Sequence, residues 1–360
     1  MLTSPQDRTI IGTAVPTISR DFNSFGDISW YEAGFLLPLC VLQLSFGLVY
    51  KYYSTKWVLI SLVATFEIGS IICATAPNSA ALIVGRVVTG VGGAGIAAGS
   101  FLLITFLVPL HARPKYIGAL GSVFGITSAI GPILGGYLTA ITWRWCFWIN
   151  VPIGAISLVL LVLLTPKTPP PAQKADSWFG KLKQLDPLGF VLIAPAVVSL
   201  LFALQWGGTK YAWSNGRIIA LLVVFGVLGL SFVASQALRK GVTVPPHIFL
   251  NRSMLAGCFA YLGTGSALVI FAFYLPIWFQ VIQGKSPQSL GLSLLPLLLS
   301  IVFAVIGSGI MTSIVGYYTP FMIIGSAILI VGSGLITTWQ PNTGKGIWIG
   351  YQVRFMNAFA

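Results

Sequence analysis

Acidic residues are scarce in this sequence. It holds seven Asp and Glu against twenty Lys and Arg, which gives a formal net charge of +13, and only 8% of its residues are charged. The basic residues stand singly between apolar runs, so they do not form the patch by which a basic domain binds nucleic acid. We expect no nucleic-acid partner.

Groups that carry out chemistry are also few. The two histidines, His111 and His247, fall in predicted loops, and no carboxylate pair, Walker loop or Gly-x-Ser-x-Gly turn occurs. A membrane-embedded enzyme would require a cluster of His or acidic residues at one membrane depth, which the sequence lacks. The four cysteines lie in apolar segments without paired spacing. We therefore predict no enzymatic activity, no catalytic residue, no cofactor and no metal site.

Apolar residues are abundant instead. Hydrophobic types make up 56% of the chain, and the mean hydropathy is +0.91. A soluble fold of this size could not bury so much apolar surface. The 40 glycines and 21 prolines are tolerated in membrane bundles, where neighbouring helices satisfy the backbone. The composition predicts an all-α, multi-pass membrane protein.

Ten apolar segments approach the length of about 20 residues that a bilayer requires. They lie at 30–50, 57–76, 81–107, 117–140, 146–165, 188–206, 218–238, 255–281, 290–314 and 319–338, with partial spans at 8–18 and from 347 onwards. The longest polar break, at 166–187, contains Pro169-Pro170-Pro171 and predicts a cytoplasmic linker between two bundles.

The loops between these segments predict an orientation. If the first partial span leaves the cytoplasm, eleven Lys and Arg lie inside and six outside. The inside set is Lys51, Lys56, Arg113, Lys115, Lys167, Lys174, Lys181, Lys183, Arg239, Lys240 and Arg252, and the outside set is Arg20, Arg144, Lys210, Arg217, Lys285 and Lys345. Because cytoplasmic loops collect basic residues, we predict a cytoplasmic N-terminus.

Charged residues inside the apolar spans are rare. Asp7 and Arg8 begin the first partial span, while Glu67 and Arg86 lie in the segments at 57–76 and 81–107. Each costs several kcal/mol unless it is paired or faces a cavity. At Glu67 and Arg86, two interpretations stay open: a residue of a transport path, or an ion pair that only fixes helix register.

Small residues form a stripe in the segment at 117–140. Gly121, Gly125, Ser128, Pro132 and Gly135 are spaced by four, three, four and three residues, which places them on one helical face. Such a face usually allows tight helix packing. The proline adds the alternative of a kink or hinge.

A second ambiguous segment is rich in aromatic residues. It comprises Phe271, Phe273, Tyr274, Trp278 and Phe279, followed by Gln280 and Gln283. These side chains could line a path for planar, apolar solutes. They could equally face lipid and end in an interfacial aromatic belt.

Four stretches carry a family resemblance. They are Asp7-Arg8-Thr9-Ile10-Ile11-Gly12-Thr13-Ala14-Val15-Pro16-Thr17-Ile18, Gly85-Arg86-Val87-Val88-Thr89-Gly90, Gly131-Pro132-Ile133-Leu134-Gly135-Gly136 and Trp143-Arg144-Trp145-Cys146-Phe147-Trp148-Ile149-Asn150-Val151-Pro152. The sequence resembles the major facilitator superfamily, specifically its fourteen-helix drug:proton antiporter branch, which is common among fungal efflux pumps. Tyr274-Leu275-Pro276-Ile277-Trp278-Phe279-Gln280 fits the start of the second half of that architecture.

The resemblance implies roles for single residues. Asp7 and Arg8 would face the transport path, and Arg86 would take part in proton coupling. The antiporter motif, with Gly131, Pro132, Gly135 and Gly136, would be a conformational hinge. Tyr274 and Gln280 would line the substrate site. In the loop after Gly47, however, Lys51, Tyr52 and Lys56 occur without an acid, so the charge-based latch found there in the family lacks its acidic partner.

The resemblance also implies an architecture, truncated at both ends. We expect an N-terminal six-helix bundle over 1–165 with a clipped first helix, the linker at 166–187, two extra central helices at 188–238 and an incomplete C-terminal bundle over 255–360. Alternating access takes place between two such bundles.

The implied function is proton-coupled efflux of small amphipathic organic compounds, such as drugs, toxins or secondary metabolites. The proton gradient would drive transport without a cofactor. The expected partners are the substrate, protons and membrane lipid, around a monomer in the plasma membrane or, alternatively, the vacuolar membrane. A proton-coupled nutrient importer and a non-transporting fragment, receptor or subunit remain alternatives.

Overall fold

The computed structural model describes residues 3–166, 186–239, 243–284, 287–340 and 344–356, which form helices joined by short loops. The helices are α1 (Thr3–Asp21), α2 (Ile28–Tyr52), α3 (Thr55–Ala74), α4 (Ser79–Leu107), α5 (Arg113–Ile141), α6 (Trp145–Trp148), α7 (Asn150–Leu164), α8 (Pro187–Trp206), α9 (Gly216–Leu238), α10 (Pro246–Phe249), α11 (Arg252–Val281), α12 (Pro287–Val315), α13 (Thr319–Thr337) and α14 (Lys345–Met356). Short 3₁₀ turns lie at Phe25–Asp27 and Leu110–Ala112.

The helix positions confirm that the ten predicted apolar segments are helical. Each of the ten apolar segments coincides with helix to within about four residues. Within the described residues, seven helical stretches are long and apolar enough to cross a membrane. The segment predicted at 146–165 is divided into α6 and α7, and Pro152 gives the physical reason because it has no N–H to donate to the carbonyl group of Trp148. The protein is therefore an all-α, multi-pass membrane protein.

Contacts among the helices define two compact units. One, named here the α2–α4 unit, comprises Ala14–Leu103 and Leu138–Asn251. The other, the α11–α14 unit, comprises Met1–Thr13, Ile104–Tyr137 and Arg252–Ala360. The bundle boundaries expected from the sequence stay predictions, and most of the predicted linker lies outside the described residues.

Glycines on α4 determine the packing of the α2–α4 unit. A Cβ atom on Gly90 would overlap the carbonyl oxygen of Phe35 on α2, and one on Gly92 would lie 2.7 Å from the carbonyl oxygen of Leu62 on α3. Gly69 of α3 makes a similar approach, since an added Cβ would lie 2.6 Å from the backbone nitrogen of Thr89. The three helices thus pack backbone against backbone, as small residues permit in membranes.

The first glycines of the small-residue stripe on α5, Gly121 and Gly125, pack against α12 within the α11–α14 unit, as does Gly118 one turn before them. An added Cβ on Gly118 would lie 2.7 Å from the carbonyl oxygen of Val305, and one on Gly121 would lie 2.7 Å from the same residue's side chain. Gly125 faces Val302 in the same way, at 2.9 Å. This part of the stripe therefore serves close helix packing, one of the two interpretations left open by the spacing.

Aromatic residues at the end of α11 form part of a hydrophobic core. Phe279 is fully buried and packs with Leu297 of α12, Leu329 of α13 and Trp348 of α14. Its ring lies 5.1 Å from that of Trp348 in an edge-to-face arrangement. Phe279 therefore takes part in helix packing, an outcome that neither sequence interpretation of this segment anticipated.

A buried carboxylate joins α8 to α9. The Asp186 side chain caps α8 by accepting a hydrogen bond from the Gly189 amide (3.1 Å), and it also accepts from Gln236 Nε2 (2.9 Å), Arg239 (3.2 Å) and the amide and hydroxyl groups of Thr243 (3.2 and 3.0 Å). Burial alone would raise the pKa of Asp186, but the hydrogen bonds from Gln236, Gly189 and Thr243 outweigh it and hold the pKa below its ordinary value. Asp186 thereby fastens the two helices at one end.

The loop between α2 and α3 is held by a different interaction from the family's latch. Lys56 donates hydrogen bonds to the carbonyl oxygens of Val162 and Thr165, both at 2.7 Å. These carbonyl groups end α7, where a cation is favoured by the helix dipole. Lys56 therefore joins the start of α3 to the end of α7 through backbone carbonyl groups.

The close approach at Gly90 predicts a stability difference between two glycine substitutions. Gly90→Ala should lower the free energy of unfolding by about 1–3 kcal/mol, because the new methyl group meets backbone that cannot turn away. Gly226→Ala in α9, where an added Cβ would have no atom within 4 Å, should leave stability unchanged or slightly higher. Unfolding in detergent, followed by tryptophan fluorescence, measures both. Equal stabilities would contradict the packing described for α4.

The Asp186 cluster predicts a pH-dependent stability. Since its pKa is lower in the folded protein than in the unfolded chain, the charged form contributes stability above the ordinary aspartate pKa of about 3.9, and this stability is lost as the pH falls through the folded value. At pH 7, Asp186→Asn should therefore cost about 2 kcal/mol. The difference from wild type should shrink as the pH falls below the ordinary aspartate pKa. Thermal unfolding of both proteins between pH 7 and acidic pH tests this prediction. A stability difference that does not change with pH would show that the charge of Asp186 does not contribute.

Candidate functional site around Arg86

Arg86 is buried inside the α2–α4 unit. It lies on α4, and its side chain is only 1% exposed. Gly34 on α2 faces it so closely that an added Cβ would lie 3.2 Å from the Arg86 Cβ. The glycine lets the backbone of α2 lie directly against the stem of the arginine.

Two groups on α2 contact the guanidinium. Arg86 Nε donates a hydrogen bond of 2.9 Å to the carbonyl oxygen of Tyr31, and the guanidinium carbon lies 4.7 Å from the centre of the Phe35 ring. Tyr31 and Phe35 are one helical turn apart, so both lie on the face of α2 that meets α4. A guanidinium is weakly hydrated and suits such a cation–π contact. The site stabilises a permanent positive charge in an apolar interior.

Tyr31 is itself fixed by hydrogen bonds. Its hydroxyl group donates to Ser79 Oγ at 3.0 Å, and Ser79 Oγ donates to Asp27 at 2.6 Å. The hydroxyl group also lies 2.6 Å from Ser24 Oγ, which must then be the donor because Tyr31 has one hydroxyl hydrogen. This chain joins the start of α2 to the start of α4 and orients the residue that contacts Arg86. None of these partners was singled out from the sequence.

Glu67 occupies a second buried position in the same unit. Its side chain is 7% exposed on α3 and lies against Gly154 of α7, where any Cβ atom would overlap the carboxylate. Asn150, fully buried, lies one turn before Gly154 on the same face of α7. The α3–α7 interface thus reserves space for a carboxylate, and both interpretations of Glu67 remain open.

Four residues were predicted to line the transport path or the substrate site. Asp7 and Arg8 belong to α1, but their side chains lie outside the described part of the structure, as does that of Gln280 in α11. Tyr274, also in α11, is 60% exposed. The proposed roles of these four residues stay predictions.

The antiporter motif lies in the second half of α5. Gly131 and Gly135 are buried, whereas Gly136 is exposed and an added Cβ would have no atom within 4 Å. The side chain of Pro132 lies outside the described residues. The motif is helical throughout, and its function as a hinge stays a prediction.

The fourth motif binds the end of α1 to the loop before α6. Trp143 Nε1 donates a hydrogen bond of 2.9 Å to the Asp21 carboxylate, and Arg144 lies 3.5 Å from the same oxygen. The Arg144 guanidinium also lies over the Trp143 ring at 4.3 Å and donates to the carbonyl oxygen of Ala76 at 3.3 Å. Because the ion pair is partly exposed, it contributes little to stability. Its main effect is to position the end of α1 against the loop before α6.

Apolar helices of membrane-spanning length around a buried arginine define a polytopic α-helical membrane protein with a charge in its apolar interior. The sequence profile of the Major Facilitator Superfamily matches residues 1–359. The chain belongs to the Major Facilitator Superfamily.

Relatives with established names are efflux pumps and transporters. The chain is 47% identical over 355 residues to the MFS-type efflux pump MFS1 of Arthroderma benhamiae, covering 97% of this chain and 66% of the relative. It is 46% identical over 349 residues to the rubrofusarin-specific efflux pump of Gibberella zeae, covering 96% and 64%. The chain thus spans just under two thirds of the length of these relatives.

Solved structures support the fold. The proton:xylose symporter XylE superposes with a TM-score of 0.67 at 13% identity, covering 99% of this chain and 76% of that one. The human organic anion transporter MFSD10 superposes with a TM-score of 0.58 at 15% identity, covering 99% and 82%. At such identities the likeness concerns the fold alone.

The contact between Arg86 and Phe35 predicts an energetic coupling. In a double-mutant cycle of Arg86→Met and Phe35→Leu, the two changes should be non-additive by about 1 kcal/mol, the size of a partly desolvated cation–π interaction. Phe147→Leu is the matched control, because Phe147 is equally buried but packs on Trp143. Unfolding of the wild-type chain, the two single variants and the double variant in mixed micelles gives the coupling, and the same cycle with Phe147→Leu gives the control. Additive effects for Arg86 and Phe35 would contradict the contact.

Proposed function

We propose that this chain is part of a proton-coupled efflux transporter that exports small amphipathic organic compounds by alternating access. The observation that carries the proposal is the buried Arg86, a permanent charge held inside an apolar helix bundle of a transporter family. Intramembrane charges of this kind are expensive and commonly mark ion or substrate pathways. The efflux pumps among the named relatives support export over import.

Several features of the proposal rest on the resemblance alone. Asp7 and Arg8 would face the transport path, Gly131 to Gly136 would bend as the protein changes between inward and outward states, and Tyr274 and Gln280 would contact substrate. Protons and a small organic compound would be the partners of a monomer in the plasma membrane, with no cofactor and with fourteen helices in the complete architecture.

Two alternatives make different predictions. A nutrient importer would accumulate its substrate inside intact cells. A receptor, subunit or non-transporting fragment would bind ligand without exchanging it across the membrane. Neither alternative has a specific structural observation in its favour.

Uptake into inside-out vesicles tests the proposal. With a proton gradient, acid inside, vesicles that contain the wild-type chain should accumulate fluorescent amphipathic compounds. Arg86→Ala should reduce accumulation to the level of empty vesicles, because proton coupling loses its cation. Arg217→Ala is the matched control, since this exposed arginine contacts Tyr211 and lies outside the buried site.

The outcomes separate the alternatives. Accumulation that persists in Arg86→Ala would overturn the assignment of Arg86 to proton coupling. If the wild-type chain inserts and binds the compounds but does not accumulate them, export by this chain is wrong and the non-transporting alternative stands.

A further inference from the structure

An open apolar groove lies beside the loop between α5 and α6, in the α2–α4 unit. Its volume is about 690 Å³, and Leu138, Val151 and Pro152 contribute to a wall that is almost wholly apolar. Trp145 and Trp148 also line it and are 50% and 37% exposed. Half-exposed tryptophans beside apolar surface are typical of the interface between hydrocarbon and headgroups. The groove therefore has the character of a membrane-interface site.

An apolar track continues from the groove along α7. Pro152, Ile156, Val159 and Leu163 are exposed and spaced by four, three and four residues, which places them on one helical face. With a rise of 1.5 Å per residue, the track is about 16 Å long. Half of a hydrocarbon core of about 30 Å has nearly the same thickness. One acyl chain could follow this track through one leaflet.

A basic residue at the rim of the groove has an acidic residue beside it. Arg144 lines the groove and carries a positive charge, and its side chain is 38% exposed. The Asp21 carboxylate, 51% exposed, lies 3.5 Å away. A zwitterionic headgroup carries the complementary pair, a phosphate for the guanidinium and an ammonium for the carboxylate. A purely anionic headgroup would be repelled by Asp21.

We propose that this groove binds one zwitterionic phospholipid of the outer leaflet. The phosphate contacts Arg144, the ammonium group contacts Asp21, and an acyl chain lies in the groove and along α7. The leaflet follows from the predicted orientation, in which the loop containing Arg144 is outside. The proposal does not depend on proton coupling or on export.

Native mass spectrometry of the full chain tests the proposal directly. Purified protein is incubated with phosphatidylcholine and phosphatidylglycerol of identical acyl chains, and the bound fraction of each is measured. The wild-type chain should retain phosphatidylcholine in preference. Arg144→Gln should lower its retention about tenfold, as expected for loss of a charge-assisted hydrogen bond. Asp21→Asn should shift the preference towards phosphatidylglycerol, because the repelling charge is removed.

Two further variants keep the test independent of folding defects. Val151→Trp fills the groove without altering the charged pair, so it should lower the retention of both lipids. Arg217→Gln removes an exposed arginine predicted to lie on the same side of the membrane and should change neither. Equal retention of both lipids by the wild-type chain would overturn the proposal. So would retention that Val151→Trp leaves unchanged, or displacement of the phospholipid by a sterol.

Discussion

The charge of Arg86 dictates how the α2–α4 unit packs. A guanidinium cannot give up its proton inside a protein, so the surrounding helices must supply partners for a cation. Here these include a backbone carbonyl group and the face of an aromatic ring, both on α2. Both interactions act only over short distances. The backbones of α2 and α4 must therefore approach closely. Gly34 and Gly90 make that approach possible, which explains why a glycine-rich helix carries the buried charge.

The scarce acidic residues are placed by the same logic of cost. Asp21, Asp27 and Asp186 all lie at helix ends, where each joins segments distant in sequence. A carboxylate there is near water or has several hydrogen-bond donors, so its desolvation is compensated. Glu67 differs, since it lies within α3 against Gly154. The three aspartates thus hold helix ends together, whereas Glu67 lies within an apolar span, where a charge costs most free energy.

Sequence reasoning succeeded where one residue or one segment sufficed. The helices followed from apolar runs, and Arg86 stood out because charges are rare inside them. Its contacts with Tyr31 and Phe35 could not be predicted, since the acceptor is a backbone atom and the pairing of α2 with α4 is not encoded locally. Asp186 was missed for another reason: it was included in a polar linker. The Asp186-Pro187-Leu188-Gly189 pattern, an N-cap followed by proline at the first helical position, was the local signal that α8 begins there.

Packing and bending need not compete along α5. The glycines of its first half, from Gly118 to Gly125, hold that half against α12, with side chains and backbone of the partner filling the space that a Cβ would need. Gly136 in the second half has open space around it. A helix that bends at a proline and glycines requires one end to be held, since otherwise the whole helix would tilt instead. The close contact with α12 supplies such a fixed end, which the proposed bending at Gly131 to Gly136 would require.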